Sequence, residues 1–194
     1  LGWQFDPEIE FAFNVLVQVG TTLAVIAYFW RDLWTIGVAV LRDMWARQPF
    51  ASQEARQGWL IVLATLPAGI IGVLFKDFFE AVFQNPAGVS ALLLGTALLL
   101  TIAEWRSSNT RPLESLGWRD ALMMGIFQIL AIFPGISRSG ATIAGGMLRD
   151  LSRPAAARFS FLMAVPIMLA AGGLAVVDLL EAGNLLAYAD VLLV

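Results

Sequence analysis

The sequence predicts an all-α, polytopic membrane protein built from transmembrane helices plus one re-entrant helix–loop–helix. Three observations predict it. Of 194 residues, 59% are hydrophobic and 14% charged, against roughly 25% charged in an ordinary soluble domain. Four stretches without charge recur, each close to the ~20 residues that cross a ~30 Å hydrocarbon core. One further apolar stretch carries an arginine, a proline and glycines where a straight crossing would not tolerate them.

In chain order, the first crossing is residues 11–30, between Glu10 and Arg31. Residues 31–58 follow as a polar link holding Arg31, Asp32, Arg42, Asp43, Arg47, Pro49, Glu54 and Arg56, with Leu33–Leu41 as a short interfacial helix. Trp30, Trp34, Trp45 and Trp59 fall near the boundaries, where indoles favour the headgroup layer. The second and third crossings are residues 57–75 and 81–103, and the last is 159–177. A single such run could be a buried helix of a soluble protein; four in one short chain argue for a bilayer. Pro67 and Pro166 are expected to kink their helices, and Gly69, Gly72, Gly145, Gly146, Gly172 and Gly173 to let helices approach closely. Gln18, Thr21 and Thr22 form a polar patch expected to pack.

Residues 121–148 break the pattern, with Arg138 between two uncharged runs. Arginine at the centre of a crossing helix costs about 2.5–3.5 kcal/mol on the mildest scale. The links decide how this stretch runs. Link 31–58 carries four arginines, link 104–120 carries Arg106, Arg111 and Arg119, and link 149–158 carries Arg149, Arg153 and Arg158. Stretches 76–87 and 178–190 hold Asp77, Glu80, Asp178, Glu181 and Asp190, with Lys76 their one cation. Cytoplasmic links collect Lys and Arg. All ten link arginines share one side only if 121–148 enters and returns. Non-helical backbone at membrane depth must face protein or a watery cavity, so the tip, Pro134–Gly140, is expected to line one.

The tip is read residue by residue. Pro134 ends the preceding helix, and Gly135 permits torsions closed to other residues. Ser137 or Ser139 caps a helix resuming near Gly140, whose open amides and partial positive charge attract anions. Arg138 adds a planar fork of donors that stays charged, and Ser137, Ser139 and Thr142 add hydroxyls. The sum is an oxyanion cradle suited to phosphoryl transfer. The ordinary alternative is an arginine paired to a carboxylate or a helix C-terminus, with Ser and Thr bonding backbone. Gln128, on the helix entering the tip, faces either the cavity or an interhelical hydrogen bond.

Composition excludes other chemistry. With no cysteine there are no disulfides, thiolate metal sites or cysteine nucleophiles, and with no histidine the commonest general base is missing. A net charge of -3 leaves no nucleic-acid footprint. The helices succeed one another with short links, so 1–194 reads as a single integral membrane domain. Both ends read as cut, since residue 1 is Leu and the chain stops at Val194 inside an apolar run.

The run from Gly125 to Thr142, GIFQILAIFPGISRSGAT, strongly resembles the undecaprenyl-diphosphate phosphatase (bacitracin-resistance) family, whose signature PGxSRSxxT is matched from Pro134 to Thr142 at every fixed position. Ser152–Phe161 and Phe13–Val25 are similar to that family too, so the resemblance covers nearly the whole chain. It implies an inverted-repeat fold, one half of it largely complete here, with two re-entrant pairs meeting at a site open to the periplasm. It implies a multi-pass hydrolase of the bacterial inner membrane. Such an enzyme removes the terminal phosphate of undecaprenyl diphosphate to recycle the lipid carrier for peptidoglycan and the cell wall, with a divalent cation, magnesium or calcium. By resemblance Arg138 holds the diphosphate, and Ser137, Ser139 and Thr142 line the catalytic site; from the reading of the tip itself Pro134, Gly135 and Gly140, and Gln128 where it faces the cavity, are expected to contact substrate. Polyprenyl diphosphate and membrane lipids are the implied partners, and a homodimer stays open.

The family's other motif, a Glu/Gln-rich helix running into a Pro-Val-Ser-Ser-x-Gly-His loop, has no counterpart here, and Glu8 and Glu10 do not replace it. Little turnover is therefore expected of this chain alone. A transporter or flippase for an anionic lipid or small anion is the competing expectation, because transporters also build midplane sites from broken helices.

Overall fold

A computed structural model describes residues 7–75 and 86–181. It is helical: α1 (Pro7–Tyr28), α2 (Trp30–Trp45), α3 (Gln53–Leu74), α4 (Pro86–Arg106), α5 (Trp118–Leu130), α6 (Arg138–Met147) and α7 (Arg153–Glu181), with a 3₁₀ turn at Leu113–Ser115. Among the described residues three stretches are long and apolar enough to cross a membrane, Gln53–Leu74, Gly88–Arg106 and Arg153–Ala170, and Val17–Tyr28 with Trp30–Trp45 would make a fourth if taken as one span. The protein is an all-α, multi-pass membrane protein. The beginning of the crossing expected at 81–103 lies outside the described residues.

The chain divides into two compact units, residues 1–30 with 165–194 and residues 31–164. In the first, the polar patch on α1 satisfies itself: Thr21 and Thr22 return their hydroxyl protons to the carbonyls of Val17 and Gln18 at 2.9 and 2.8 Å. The second unit carries everything that follows.

The interfacial helix is longer than the expected Leu33–Leu41, because charges that read as link lie along it with partners at hand. Asp32 meets Arg158 at 2.6 Å, and Asp43 pairs with Arg42 and accepts from the Ser52 amide at 2.8 Å. Ile36, Ala39 and Asp43 form its buried face, while Trp34 and Trp45 are exposed, as headgroup-layer indoles should be.

Small residues set the packing. A Cβ on Gly125 would stand 2.5 Å from the Ala64 carbonyl oxygen, so α5 lies almost backbone to backbone on α3. Gly72 near Ile132 shows the two helices running the same way. Gly145 accepts the ring of Phe127 and Gly146 the end of Met124, which folds α6 back along α5. Gly69, Gly172 and Gly173 differ from expectation: a Cβ there would meet nothing within 4 Å, so they mark no close approach. Met124, Leu151, Phe159, Leu162 and Met163 are the largest fully buried apolar side chains, and they lie on α5, on α7 and on the link between α6 and α7.

The hairpin is re-entrant. At 13 and 10 residues, α5 and α6 measure about 20 and 15 Å, each too short to cross. Their open ends are tied together. Asp120, in the first turn of α5, bonds Arg111 Nη2 at 2.7 Å and Arg149 Nε at 2.8 Å, and Arg149 lies just past the end of α6. Arg111 Nη1 also donates to the Arg149 carbonyl at 2.7 Å. The Arg111 amide donates to the Asp150 carbonyl at 2.9 Å, and the Ser152 amide to the Arg111 carbonyl at 2.8 Å. Link 104–120 and link 149–158 therefore meet, as the arginine count requires, and Arg153 pairs with Glu104 beside them. Burial alone would raise the Asp120 carboxyl, but hydrogen bonds from Arg111, the Gly117 amide and Arg149 outweigh it and hold the group below the usual carboxylate range.

Candidate functional site

The break between α5 and α6 is dictated by one missing donor. In a continuing helix the Leu130 carbonyl would accept from residue 134, which is proline and has no N–H. The Phe133 amide takes that carbonyl instead, at 3.2 Å. The helix thus ends at Leu130, four residues before Pro134 rather than against it. The chain turns through Gly135, whose φ is +91° and whose added Cβ would fall 2.1 Å from the Val89 carbonyl oxygen of α4. Both the torsion and the approach demand glycine.

Helix α6 resumes at Arg138, two residues before the expected Gly140. Ser137 is its cap, accepting the Gly140 amide on Oγ at 3.2 Å. The Ser137 amide donates to Thr96 Oγ1 on α4 at 3.1 Å, and Thr96 Cγ2 presses on Gly140, where a Cβ would stand at 2.7 Å. Ser137 and Ser139 bring their hydroxyls within 3.4 Å of each other. The amides of Arg138 and Ser139, in the first turn, have no intrahelical acceptor and no partner among the described residues.

Arg138 is half-buried and has no carboxylate partner among the described residues. Arg42, Arg111, Arg149, Arg153 and Arg158 all do. Unlike those five, the arginine inside the hairpin has no such partner, and Arg47, Arg56, Arg106 and Arg119, which also lack one among the described residues, are exposed. Thr142 differs from an open lining residue: it is 1% exposed, and its hydroxyl bonds the Arg138 and Ser139 carbonyls and Ser160 Oγ. Gln128 is 2% exposed, and neither Oε1 nor Nε2 has a partner among the described residues. Among the described residues no interhelical hydrogen bond holds it. Pro134, Gly135, Ser137, Arg138, Ser139 and Gly140 thus come together at the tip, with Gln128 about a turn and a half deeper on α5.

The sequence does not single out Thr96 and Ser160 as supports of the tip, nor Asp120 as the tie across the mouth of the hairpin. A threonine beside Gly95 within an apolar crossing and a serine at the start of the last crossing were the signals available. The implied divalent cation finds no ligand set here. Tip residues offer hydroxyls, an amide and a guanidinium but no carboxylate, and no group of three acidic or other metal-binding side chains occurs among the described residues, whereas Mg²⁺ and Ca²⁺ favour carboxylate oxygens.

Fold and site together define a class: polytopic membrane proteins with a hairpin whose tip carries open helix amides and an arginine without a carboxylate partner among the described residues. A family model described as bacitracin resistance protein BacA matches residues 1–193, and the chain belongs to that family. It is 46% identical over 179 residues to an undecaprenyl-diphosphatase of Chlorobium phaeovibrioides, covering 89% of this chain and 62% of that protein. It is 44% identical to one of Chlorobium limicola, covering 88% and 62%. It is 40% identical to one of Thermomicrobium roseum, covering 94% and 69%. The chain thus spans about 62% of the length of the two Chlorobium relatives.

Proposed function

We propose that this chain is the phosphate-holding part of an undecaprenyl-diphosphatase, a phosphoric anhydride hydrolase of the bacterial inner membrane. It takes undecaprenyl diphosphate, a polyprenyl diphosphate lipid, to undecaprenyl phosphate and inorganic phosphate. The reaction returns the lipid carrier to peptidoglycan and cell-wall synthesis, which accounts for bacitracin resistance. The observation that carries the reading is Arg138, half-buried and without a carboxylate partner among the described residues, beside two open amides. An unpaired guanidinium at membrane depth is costly unless an anion completes it.

In this reading the fork of Arg138 grips non-bridging oxygens of the diphosphate, and the Arg138 and Ser139 amides receive charge at the positive end of α6. Ser137 accepts the Gly140 amide on its Oγ, and because the Ser137 and Ser139 hydroxyls bond each other, the pair keeps one proton for a phosphate oxygen. Water attacks the terminal phosphorus. The bond to the bridging oxygen breaks, and undecaprenyl phosphate departs with that oxygen. Hydroxyls and a guanidinium do not accept the water's proton near neutrality, so the base lies outside the described tip residues. A divalent cation would neutralise phosphate charge, with ligands likewise outside the tip.

The test is phosphate release from a polyprenyl diphosphate by purified full-length protein with magnesium. Arg138→Ala should lower it by about 10³-fold, near the upper range for losing one oxyanion donor. Arg138→Lys should recover little, since an ammonium cannot reproduce the planar fork. Lipid translocation without phosphate release would replace this reading by a flippase.

A further inference from the structure

Behind the tip lies a hydroxyl relay that the reaction as described does not use. Thr142 Oγ1 stands 2.9 Å from the Arg138 carbonyl, 3.2 Å from the Ser139 carbonyl and 2.6 Å from Ser160 Oγ on α7. Thr142 and Ser160 are 1% and 3% exposed, so water does not compete for these bonds. A hydroxyl has one proton. The arrangement that makes all three contacts hydrogen bonds puts the Thr142 proton on the two carbonyls and has Ser160 supply the proton between the hydroxyls. In that arrangement Ser160 donates to Thr142, and Thr142 donates to the carbonyls of Arg138 and Ser139.

We propose that Ser160 is a positioning residue that holds and polarises the first turn of α6 through Thr142, and so strengthens its anion-binding amides. The Arg138 carbonyl belongs to the same peptide unit as the Ser139 N–H, one of the two open donors at the tip. A hydrogen bond accepted at the oxygen of a peptide unit sharpens donation at its nitrogen, and such chains strengthen each bond by roughly 10–30%. Geometry adds to polarisation. Helix α6 has only 10 residues, fixed at the tip by Ser137 on Thr96 and at the mouth by Arg149 on Asp120. Ser160 supplies a third tether from α7, at the level of the residues that carry the donors. Nothing about an isolated PGxSRSxxT run points to a serine 18 positions beyond its threonine.

The inference rests on the proposed phosphate-holding role, and the experiment separates the two. In full-length protein, Ser160→Cys keeps the volume but replaces a strong donor by a weak one, and Ser160→Ala removes it. Three quantities are read: inhibition by inorganic pyrophosphate, kcat and KM for phosphate release, and amide hydrogen exchange over residues 137–147. Both variants should keep the wild-type unfolding midpoint within a few degrees. Both should bind pyrophosphate about 5- to 20-fold more weakly, lose kcat/KM by a similar factor, and exchange faster in the first turn of α6. Ser160→Thr, which retains the donor, should recover most of the loss. A purely packing role predicts Ser160→Cys equal to wild type in pyrophosphate affinity, and that result overturns the proposal. If wild type neither binds pyrophosphate nor releases phosphate, the phosphatase reading fails first. Unchanged exchange in both variants would then still overturn the tether.

Discussion

Replacing Gly135 by alanine is the sharpest test of how the tip is built. The new Cβ would lie 2.1 Å from the Val89 carbonyl oxygen and 2.9 Å from its carbon. Both are backbone atoms of α4, so no side chain can swing aside. A non-glycine residue at positive φ costs about 1–2 kcal/mol, and overpacking a tight contact adds roughly 1–3 kcal/mol, giving about 2–5 kcal/mol in all. The strain is relieved only if the tip lifts from α4, which stretches the bond from the Ser137 amide to Thr96 and displaces Arg138. The assay is denaturant unfolding of full-length protein in micelles, followed by circular dichroism. Gly95→Ala on α4 is the control, because a Cβ there meets nothing within 4 Å and the change should stabilise by about 0.5–1 kcal/mol. Phosphate release by Gly135→Ala should fall at least ~10-fold with the displaced cradle. Unfolding of Gly135→Ala at the wild-type denaturant concentration would refute the reasoning, for it would mean that the turn does not rest on Val89.

Other consequences follow from the mouth and from the buried amide. Asp120→Asn leaves Arg111 and Arg149 short of a charge, and should destabilise by about 2–3 kcal/mol, less than for a wholly buried pair because both arginines are partly exposed. The Asp120 carboxyl titrates lower in the folded state than in the unfolded chain. Its contribution is therefore full above the unfolded value of ~3.9 and disappears as pH falls through the lower folded value. Wild-type stability should drop on that acid side, and the drop should be shallower in Asp120→Asn. Gln128→Leu removes two buried groups without partners, so it should stabilise by about 1–3 kcal/mol. It should also lower phosphate release about 10-fold if the amide serves substrate, and a loss of stability on this change would show that Gln128 has a partner.

What could be read from the sequence was whatever rests on local rules. Proline removes a donor, positive φ selects glycine, and arginines collect on one side of the bilayer; together these locate the hairpin between 121 and 148 and its break before Arg138. Boundaries followed less well. The interfacial helix outgrew Leu33–Leu41 because Asp32 and Asp43 found partners in residues 126 and 9 positions away, and no local pattern distinguishes a paired charge from a solvated one. Distance in sequence hid Thr96 and Ser160 as well, since each serves the tip across 41 and 18 positions. Thr142 belongs to the same lesson. Its place in the motif suggested an open site residue, whereas its hydroxyl is spent inside, between α6 and α7.

The account depends most on the hairpin returning to the side it entered from. Single cysteines at the exposed positions Thr110→Cys and Pro154→Cys, placed in full-length protein otherwise free of reactive thiols, can be labelled in intact cells and in inverted vesicles by a membrane-impermeant maleimide. Labelling of both positions in inverted vesicles and of neither in intact cells is predicted. Labelling of the two from opposite sides would make residues 121–148 a crossing and contradict the account.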